Sequence, residues 1–222
     1  MTDPREEQLK GSWTTNADAW AHAVESRAIE SRRLVTDDAV VAAVLECGGT
    51  HVLDVGCGEG WLSRRLALDG RTVVGFDGSA RLIERAMERG GAAYVVLDYD
   101  AFAAEPERAG RDFDVAVANF SLLGESIAPL LRALGRVVTP DGRLVIQTVH
   151  PANIGTVDGW QEERYEPLAP LPFAPMPWYF RTRESWQRVL EESGWRVEDA
   201  REPINPATEK PASLILIAAR HP

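Results

Sequence analysis

The sequence predicts an α/β protein with a mostly parallel seven-stranded sheet and helices on both faces. Three observations support this fold class. Short β-rich runs alternate with segments of helical periodicity along the 222 residues. Runs such as VVGF and LVIQ are apolar on both faces, as buried parallel strands are. A turn with three glycines joins the first strand run to the helical pattern after it.

Seven segments have the composition of strands, and each is bounded by turn-forming or helical sequence. The last of them, SLILIAA, is the most continuously apolar, so we expect it inside the sheet. The predicted strands span residues 51–56, 72–77, 92–98, 113–119, 143–149, 195–201 and 213–219.

Helical patterns fill the intervals between these strands. Ser79 is a candidate N-cap for the helix after the second strand. A longer helix is predicted from about residue 126 to residue 138, and it ends at the turn-forming Pro-Asp-Gly of residues 140–142. A further helix is predicted over 182–194, with threonine at its start and glycine at its end.

Two segments lie outside this alternation. Residues 1–46 have helical periodicity, and we expect them to form a helical lid ahead of a domain over residues 47–222. Residues 151–180 follow the fifth strand and are rich in proline and aromatic residues. Such a segment is too apolar for a plain linker, so we expect a cap over a ligand site.

Composition and charge exclude several classes of protein. The net charge is −10 and no basic face is evident, which argues against a nucleic-acid partner. No stretch approaches the roughly 20 apolar residues that span a bilayer, which argues against a membrane protein. The acidic N-terminus resembles neither a signal nor a transit peptide, and there are two cysteines, so a cytoplasmic protein with no metal site is expected.

The glycine turn reads VLDVGCGEGW over residues 52–61. Glycines between a strand and a helix indicate a ligand close to the backbone. The dinucleotide fingerprint is G-x-G-x-x-G, whereas the glycines here are two apart and Trp61 stands where the third glycine should be. A nicotinamide-dependent oxidoreductase is therefore disfavoured.

Five motifs in order resemble those of the class I S-adenosylmethionine-dependent methyltransferases, and the likeness runs from about residue 50 to the C-terminus. VLDVGCGEG resembles the first motif almost letter for letter. The other four are VGFDGS (74–79), VVLDYDAF (95–102), FDVAVANFSLL (113–123) and PDGRLVIQTVHP (140–151).

The resemblance implies a Rossmann-like fold and S-adenosylmethionine as cofactor. It implies that Gly56 and Gly58 let the backbone approach the methionine part, while Asp54 orients the turn and faces the ammonium group. It also implies that Asp77, with Gly78 beside it, binds both ribose hydroxyls, a bidentate task that suits a carboxylate.

The same resemblance implies the remaining contacts. Asp98 would accept a hydrogen bond from the adenine amine, and the Tyr99 amide would meet a ring nitrogen. Asn119 and Phe120 would line the methionine part and the sulfonium methyl. Acids at strand ends are common as solvated groups, but two of them beside a glycine turn favour the cofactor role.

Methyl transfer from a sulfonium is an in-line displacement, so such an enzyme aligns the reactants and excludes water. Residues 1–46 and 151–180 are the candidate covers. In this family, N-terminal helices often close over the cofactor, and Arg32 or Arg33 is a candidate partner for its carboxylate. An exposed basic helix face is the alternative for either arginine.

A small-molecule acceptor is expected, methylated on oxygen or nitrogen. His150 follows the fifth strand, and it is interpreted either as a general base or as a cap of the strand end. The aromatic cap favours an apolar or aromatic acceptor. The candidate acceptor residues, for which packing of the cap is the alternative, are Tyr165, Trp178, Tyr179 and Arg181.

A non-catalytic cofactor-binding protein of the same fold is the main alternative function. Intact acids at positions 77 and 98 and an intact Asn119 argue that binding is retained, but they are compatible with either function. An acceptor pocket under the cap would favour the enzyme.

Overall fold

A seven-stranded sheet forms the centre of the structure. The structure is a computed structural model, and it describes residues 3–163 and 172–221. The strand order of the sheet is β3-β2-β1-β4-β5-β11-β8. β11 is antiparallel to both of its neighbours, and the other pairs are parallel. The strands are β1 (His51–Val55), β2 (Thr72–Asp77), β3 (Ala93–Val96), β4 (Phe113–Asn119), β5 (Val138–Thr148), β8 (Trp195–Arg201) and β11 (Leu214–Arg220).

Helices fill the connections, and within the described ranges four short strands lie outside the sheet. β6 pairs with β7 and β9 with β10, both antiparallel. These strands are β6 (Gly159–Glu163), β7 (Met176–Phe180), β9 (Ile204–Asn205) and β10 (Lys210–Pro211). The α-helices are α1 (Pro4–Thr15), α2 (Ala17–Glu25), α3 (Asp37–Glu46), α4 (Trp61–Leu68), α5 (Ala80–Arg89), α6 (Tyr99–Ala104), α7 (Ala128–Val137) and α8 (Arg183–Glu192), with a π-helical turn at Arg32–Thr36 and 3₁₀ turns at Pro106–Ala109 and Pro151–Asn153.

The predicted fold class is confirmed, and all seven predicted strands are present in the sheet. One boundary is wrong. β5 begins at Val138, so the Pro-Asp-Gly of residues 140–142 lies within the strand and not in a turn before it. The register with β4 shifts between Phe113 and Val115. Such an irregularity accommodates proline and glycine within a strand.

Two apolar layers hold the helices against the sheet. On one face the layer joins the strands to α6, α7 and α8, and Trp195 at its centre donates a hydrogen bond of 2.8 Å from Nε1 to the Leu131 carbonyl. On the other face, valines of α3 and leucines of α4 pack against Val117 and Ile215. Both faces are thus covered, which is why the inner strands are apolar throughout.

The N-terminal boundary predicted at residue 46 differs from the structure. Val40 and Val44 of α3 are fully buried against the sheet, so α3 belongs to the core. Of the helices described within residues 3–46, α1 and α2 lie outside this helical layer. The periodicity of α3 resembles that of the preceding helices, and it could not show which surface each helix covers.

The lid, defined here as α1 and α2, crosses the carboxyl edge of the sheet. α2 is joined to α5 by Asp18, which pairs with two arginines of that helix. Lys10 of α1 pairs with Asp100 in the segment after β3. Glu6 accepts hydrogen bonds of 2.7 and 2.9 Å from the amides of Glu125 and Ser126, after β4. Because β2 and β1 lie between β3 and β4, α1 passes over their ends.

The cap, defined here as the β6–β7 hairpin, packs on the lid. Asn16 exchanges two hydrogen bonds with the backbone of Ala174. The Tyr179 amide donates to the Leu123 carbonyl after β4. An apolar cluster joins lid, cap and sheet edge: Leu9, Trp13, Trp20, Leu123, Met176, Trp178 and Phe180. Among the described residues no helix is long and apolar enough to cross a membrane.

Candidate functional site

The candidate site lies at the carboxyl ends of β1, β2 and β4. β1 pairs with β2 on one side and with β4 on the other, so the strand order reverses there. Ligands of open α/β sheets bind at such a switch point. The glycine turn follows β1, Asp77 ends β2 and Asn119 ends β4. The structure therefore brings these three predicted elements together.

The three glycines of the turn meet different surroundings. All three have a positive φ, between 56° and 81°, which residues other than glycine rarely adopt. A Cβ at Gly56 would overlap the Tyr99 hydroxyl and Ser121, and a Cβ at Gly60 would overlap the Tyr94 ring. A Cβ at Gly58 would meet nothing within 4 Å. Of the three, Gly58 alone faces open space where a ligand could approach.

We expect alanine to act differently at two of these positions. Gly56→Ala should lower the free energy of unfolding by about 2 kcal/mol or more, because steric overlap adds to the strain at positive φ. Gly58→Ala should cost only about 1 kcal/mol, for the φ strain alone. Urea unfolding measures both values. Equal losses, or a larger loss at Gly58, would contradict this assignment of the open position.

Asp54 lies beneath the turn and is almost fully buried. It accepts a hydrogen bond of 2.6 Å from the Ser63 hydroxyl at the start of α4. Burial raises the pKa of Asp54 to about 7, and the negative charge of Asp77 contributes in the same direction. Asp54 thus ties the turn to α4, and it places a titratable carboxyl under the site.

Asp77 holds the turn from the neighbouring strand. Its Oδ2 accepts a hydrogen bond of 2.9 Å from the Gly58 amide, and its Oδ1 accepts one of 2.8 Å from the Ser79 amide. Burial raises the pKa of Asp77, while these two hydrogen bonds oppose the shift. A carboxylate has about four acceptor positions, so two are left for the hydroxyls of a ligand.

Asp98, Tyr99 and Gly78 adjoin Asp77. Asp98 is exposed and caps α6, its Oδ1 accepting a hydrogen bond of 2.7 Å from the Ala101 amide. The Tyr99 amide lies in the first turn of α6, where helical amides have no intrahelical acceptor. A Cβ at Gly78 would lie 3.3 Å from the Cβ of Asp98, so this glycine permits close packing of the two segments.

The Tyr99 side chain makes contacts with the glycine turn that the sequence did not predict. Its hydroxyl donates to the Ser121 carbonyl at 3.1 Å, and the Ser121 hydroxyl donates to the Val55 carbonyl at 2.6 Å. Burial raises the pKa of Tyr99, so the phenol stays protonated. These bonds explain the need for glycine at position 56. No local pattern predicts them, because they join three separate segments.

Asn119 is the last residue of β4, and Phe120 follows it beside the glycine turn. Phe120 has a φ of 52°, unusual for an aromatic residue, and its amide donates to the Gln147 carbonyl at 2.8 Å. Backbone strain of this kind is found at functional sites. Asn119 accepts a hydrogen bond of 2.7 Å from the Gln147 side chain.

The structure distinguishes Arg32 from Arg33. The Arg32 guanidinium lies 4.6 Å from the centre of the Trp61 ring at the start of α4, and its Nε donates to Asp37 at 2.9 Å. Its Nη2 is buried and has no hydrogen-bond partner among the described residues. Arg33 is half-exposed. Arg32 therefore presents an unused buried donor close to the glycine turn.

The structure does not bring the described acceptor candidates to one surface. Tyr165 lies outside the described residues. Trp178 is buried on the lid side of β7. Tyr179 and Arg181 lie on the opposite face, where the Arg181 guanidinium is 4.8 Å from the Tyr179 ring and 5.2 Å from that of Trp186. Neighbouring residues of a strand point to opposite faces, so Trp178 and Tyr179 do not line one pocket.

Arg181 is the more constrained of that pair. It is buried, and its Nη2 donates to the Glu125 carbonyl. Burial lowers its pKa to about 10, and burial raises the pKa of Tyr179. The packing interpretation of these two residues fits this arrangement.

Both ring nitrogens of His150 have a polar neighbour. Its Nδ1 accepts a hydrogen bond of 3.2 Å from the Ala152 amide, and its Nε2 lies 3.5 Å from Glu202. The Ala152 amide can only donate, so the proton of a neutral ring is on Nε2. No lone pair is left free. This geometry fits the capping interpretation, and the base role stays a prediction. In the described part of the chain, no group of three or more His, Cys, Asp or Glu is arranged to hold a metal ion.

Comparison with known proteins identifies relatives of this chain by sequence. A family described as a methyltransferase domain matches residues 18–200. An uncharacterised methyltransferase of Schizosaccharomyces pombe is 32% identical over 159 residues, which cover 67% of this chain and 60% of that protein. A ubiquinone biosynthesis O-methyltransferase of Rhizobium etli is 36% identical over 106 residues, 46% of this chain and 42% of that protein. The chain thus spans about half the length of the curated relatives that it matches.

Solved structures share the fold. The crystal structure of an S-adenosylmethionine-dependent methyltransferase from Mesorhizobium loti superimposes with a TM-score of 0.64. It is 24% identical, and the match covers 82% of this chain and 96% of that one. At this level of identity the likeness concerns the architecture.

Proposed function

This chain belongs to the methyltransferase family, as its five motifs indicated, and from that premise we propose that it transfers a methyl group from S-adenosylmethionine to oxygen or nitrogen of a small-molecule acceptor. The observation that carries the proposal is the position of Asp77 at the glycine turn. Its carboxylate orders the Gly58 amide and keeps acceptor positions for two ribose hydroxyls.

The charge at the turn fits this cofactor better than a dinucleotide. The half-buried Asp77 carboxylate, together with the ionised fraction of buried Asp54, puts negative charge under the turn, which attracts a sulfonium or ammonium cation and repels a pyrophosphate. Trp61 also stands at the start of α4, where the dinucleotide fingerprint has its third glycine. A nicotinamide-dependent oxidoreductase therefore lacks support at both positions.

The remaining contacts follow from the same positions. The unused Nη2 of Arg32 suits the cofactor carboxylate, for which a guanidinium is the best-matched donor. Exposed Asp98 would accept from the adenine amine, and the Tyr99 amide would donate to a ring nitrogen. Asn119 and Phe120 would border the methionine part.

Bound S-adenosylmethionine would supply an electrophilic sulfonium methyl group for in-line displacement. The chain's own residues would align the acceptor and exclude water. α1 lies across the ends of β1 and β2, held by Glu6 at one side and Lys10 at the other. In this position the lid would exclude water from the site.

The lid and cap also support an apolar or aromatic acceptor. Trp13 and Trp20 have ring centres 5.8 Å apart, and the Phe173 ring of the cap segment lies 5.2 Å from that of Trp20. Trp13, Trp20 and Leu123 belong to the apolar cluster between lid and cap, and its aromatic character would suit such an acceptor. The O-methyltransferase among the relatives supports oxygen as the atom methylated.

A labelled-methyl assay tests this proposal. The protein is incubated with S-adenosyl-[methyl-³H]methionine and panels of phenols, indoles and carboxylic acids, with aliphatic amines for comparison. Label transferred to an aromatic or apolar acceptor supports the proposal. Binding of the cofactor without transfer to any acceptor would favour the non-catalytic alternative.

His150→Asn separates the two roles of that histidine. Asparagine can cap a turn but cannot act as a base near neutral pH. Because the ring already caps the turn, we expect turnover within about twofold of the wild-type value. A loss of about 10²-fold or more in kcat, with unchanged cofactor affinity, would instead identify His150 as the base.

A further inference from the structure

Gln147 lies at the centre of a buried hydrogen-bond network beside the site. It lies near the end of β5, paired with Asn119 of β4 on one side and with Ile215 of β11 on the other, and it is 1% exposed. Its Nε2 donates to Asn119 Oδ1 at 2.7 Å and to the Thr36 carbonyl at 3.0 Å. Its Oε1 accepts from the Ser213 hydroxyl at 3.1 Å.

The partners fix the orientation of both amides. The Thr36 carbonyl can only accept, so the Gln147 NH₂ group must face it. The second proton of that NH₂ then requires an acceptor in Asn119, which turns Oδ1 of Asn119 toward Gln147. The oxygen and nitrogen of the Asn119 amide lie on opposite sides of its Cβ–Cγ bond. Because Oδ1 points toward Gln147, the NH₂ group faces away from Gln147. Asn119 therefore offers donors to its other side.

The same side chain anchors the segment that carries Arg32. Thr36 is the last residue of the π-helical turn, and the Asp37 amide closes that turn on the Arg32 carbonyl. Turns of this kind are frequent at functional sites. Through its bond to Thr36, Gln147 ties this turn to the sheet beside Asn119.

We infer that Gln147 is a positioning residue, which orients Asn119 as a donor and holds the Arg32 turn so that both can bind the amino-acid end of the cofactor. This inference rests on the proposed function. It adds that the carboxylate of the methionine part is recognised by donors from two segments, both oriented by one glutamine.

Gln147→Glu tests the inference by calorimetric titration with two ligands. The glutamate can accept from Ser213, but its carboxylate cannot donate to Thr36, and it draws the NH₂ of Asn119 toward itself. We expect affinity for S-adenosylhomocysteine to fall about tenfold or more. Affinity for 5′-methylthioadenosine, which lacks the amino-acid end, should stay within about twofold. A merely structural role would weaken both ligands alike.

Two further variants complete the test. Gln147→Met has similar length, no charge and no hydrogen bonds, so it should show the same selective loss should the glutamate variant fail to fold. Ser213→Ala removes one bond but leaves Asn119 oriented, and it should bind both ligands like wild type. Unchanged binding in both Gln147 variants, or equal loss of both ligands, would overturn the inference. If wild type binds neither ligand, the proposed function itself fails.

Discussion

Asp77→Ala is expected to weaken binding of S-adenosylhomocysteine by about 100-fold, or roughly 3 kcal/mol. Two effects combine in this variant. The acceptor positions for the ribose hydroxyls disappear, and the amides of Gly58 and Ser79 lose the carboxylate that orders the turn. Isothermal titration calorimetry measures the loss directly.

Asp114→Ala is a matched control for that experiment. Asp114 also accepts two backbone hydrogen bonds, from the amides of Thr50 and His51, but it does so at the opposite end of β1. Its removal should lower stability and leave cofactor affinity within about twofold. Affinity unchanged by Asp77→Ala, or reduced equally by both variants, would remove the ribose role from Asp77.

Asp54→Asn is expected to change how stability depends on pH. The folded-state pKa of Asp54 is about 7, against an ordinary value of 3.8. Between pH 3.8 and pH 7, Asp54 is ionised in the unfolded chain and still protonated in the folded one. The free energy of unfolding therefore falls as the pH rises through this range. The slope is about 1.4 kcal/mol per pH unit, for a total of at most ~4 kcal/mol above pH 7.

Asparagine at position 54 cannot ionise, yet its oxygen can still accept from Ser63. The stability difference, variant minus wild type, should therefore grow from about pH 4 to about pH 7 and then level off. Urea unfolding at a series of pH values measures this difference, and titration of Asp77 contributes to both proteins. A difference that is flat with pH would show that Asp54 ionises normally in the folded state.

Much of this fold could be predicted because local patterns carry it. Buried parallel strands need apolar residues on both faces, so all seven strands of the sheet were visible in the sequence. The glycine turn and the acid after β2 are also local signals. The structure places them side by side because parallel strands end at one edge of the sheet.

The parts that could not be predicted depend on contacts between distant segments. Gln147 looks like one polar residue in an apolar strand, and only the fold brings Thr36, Asn119 and Ser213 to it. Gly56 was expected to make room for a ligand, yet its missing Cβ accommodates Tyr99.

Titration of the purified protein with S-adenosylhomocysteine, with NADH in parallel, tests the central claim most directly. The Asp77 carboxylate at the glycine turn predicts micromolar binding of the thioether and no binding of the dinucleotide. Binding of NADH alone, or of neither ligand, would contradict the assignment of this turn to S-adenosylmethionine.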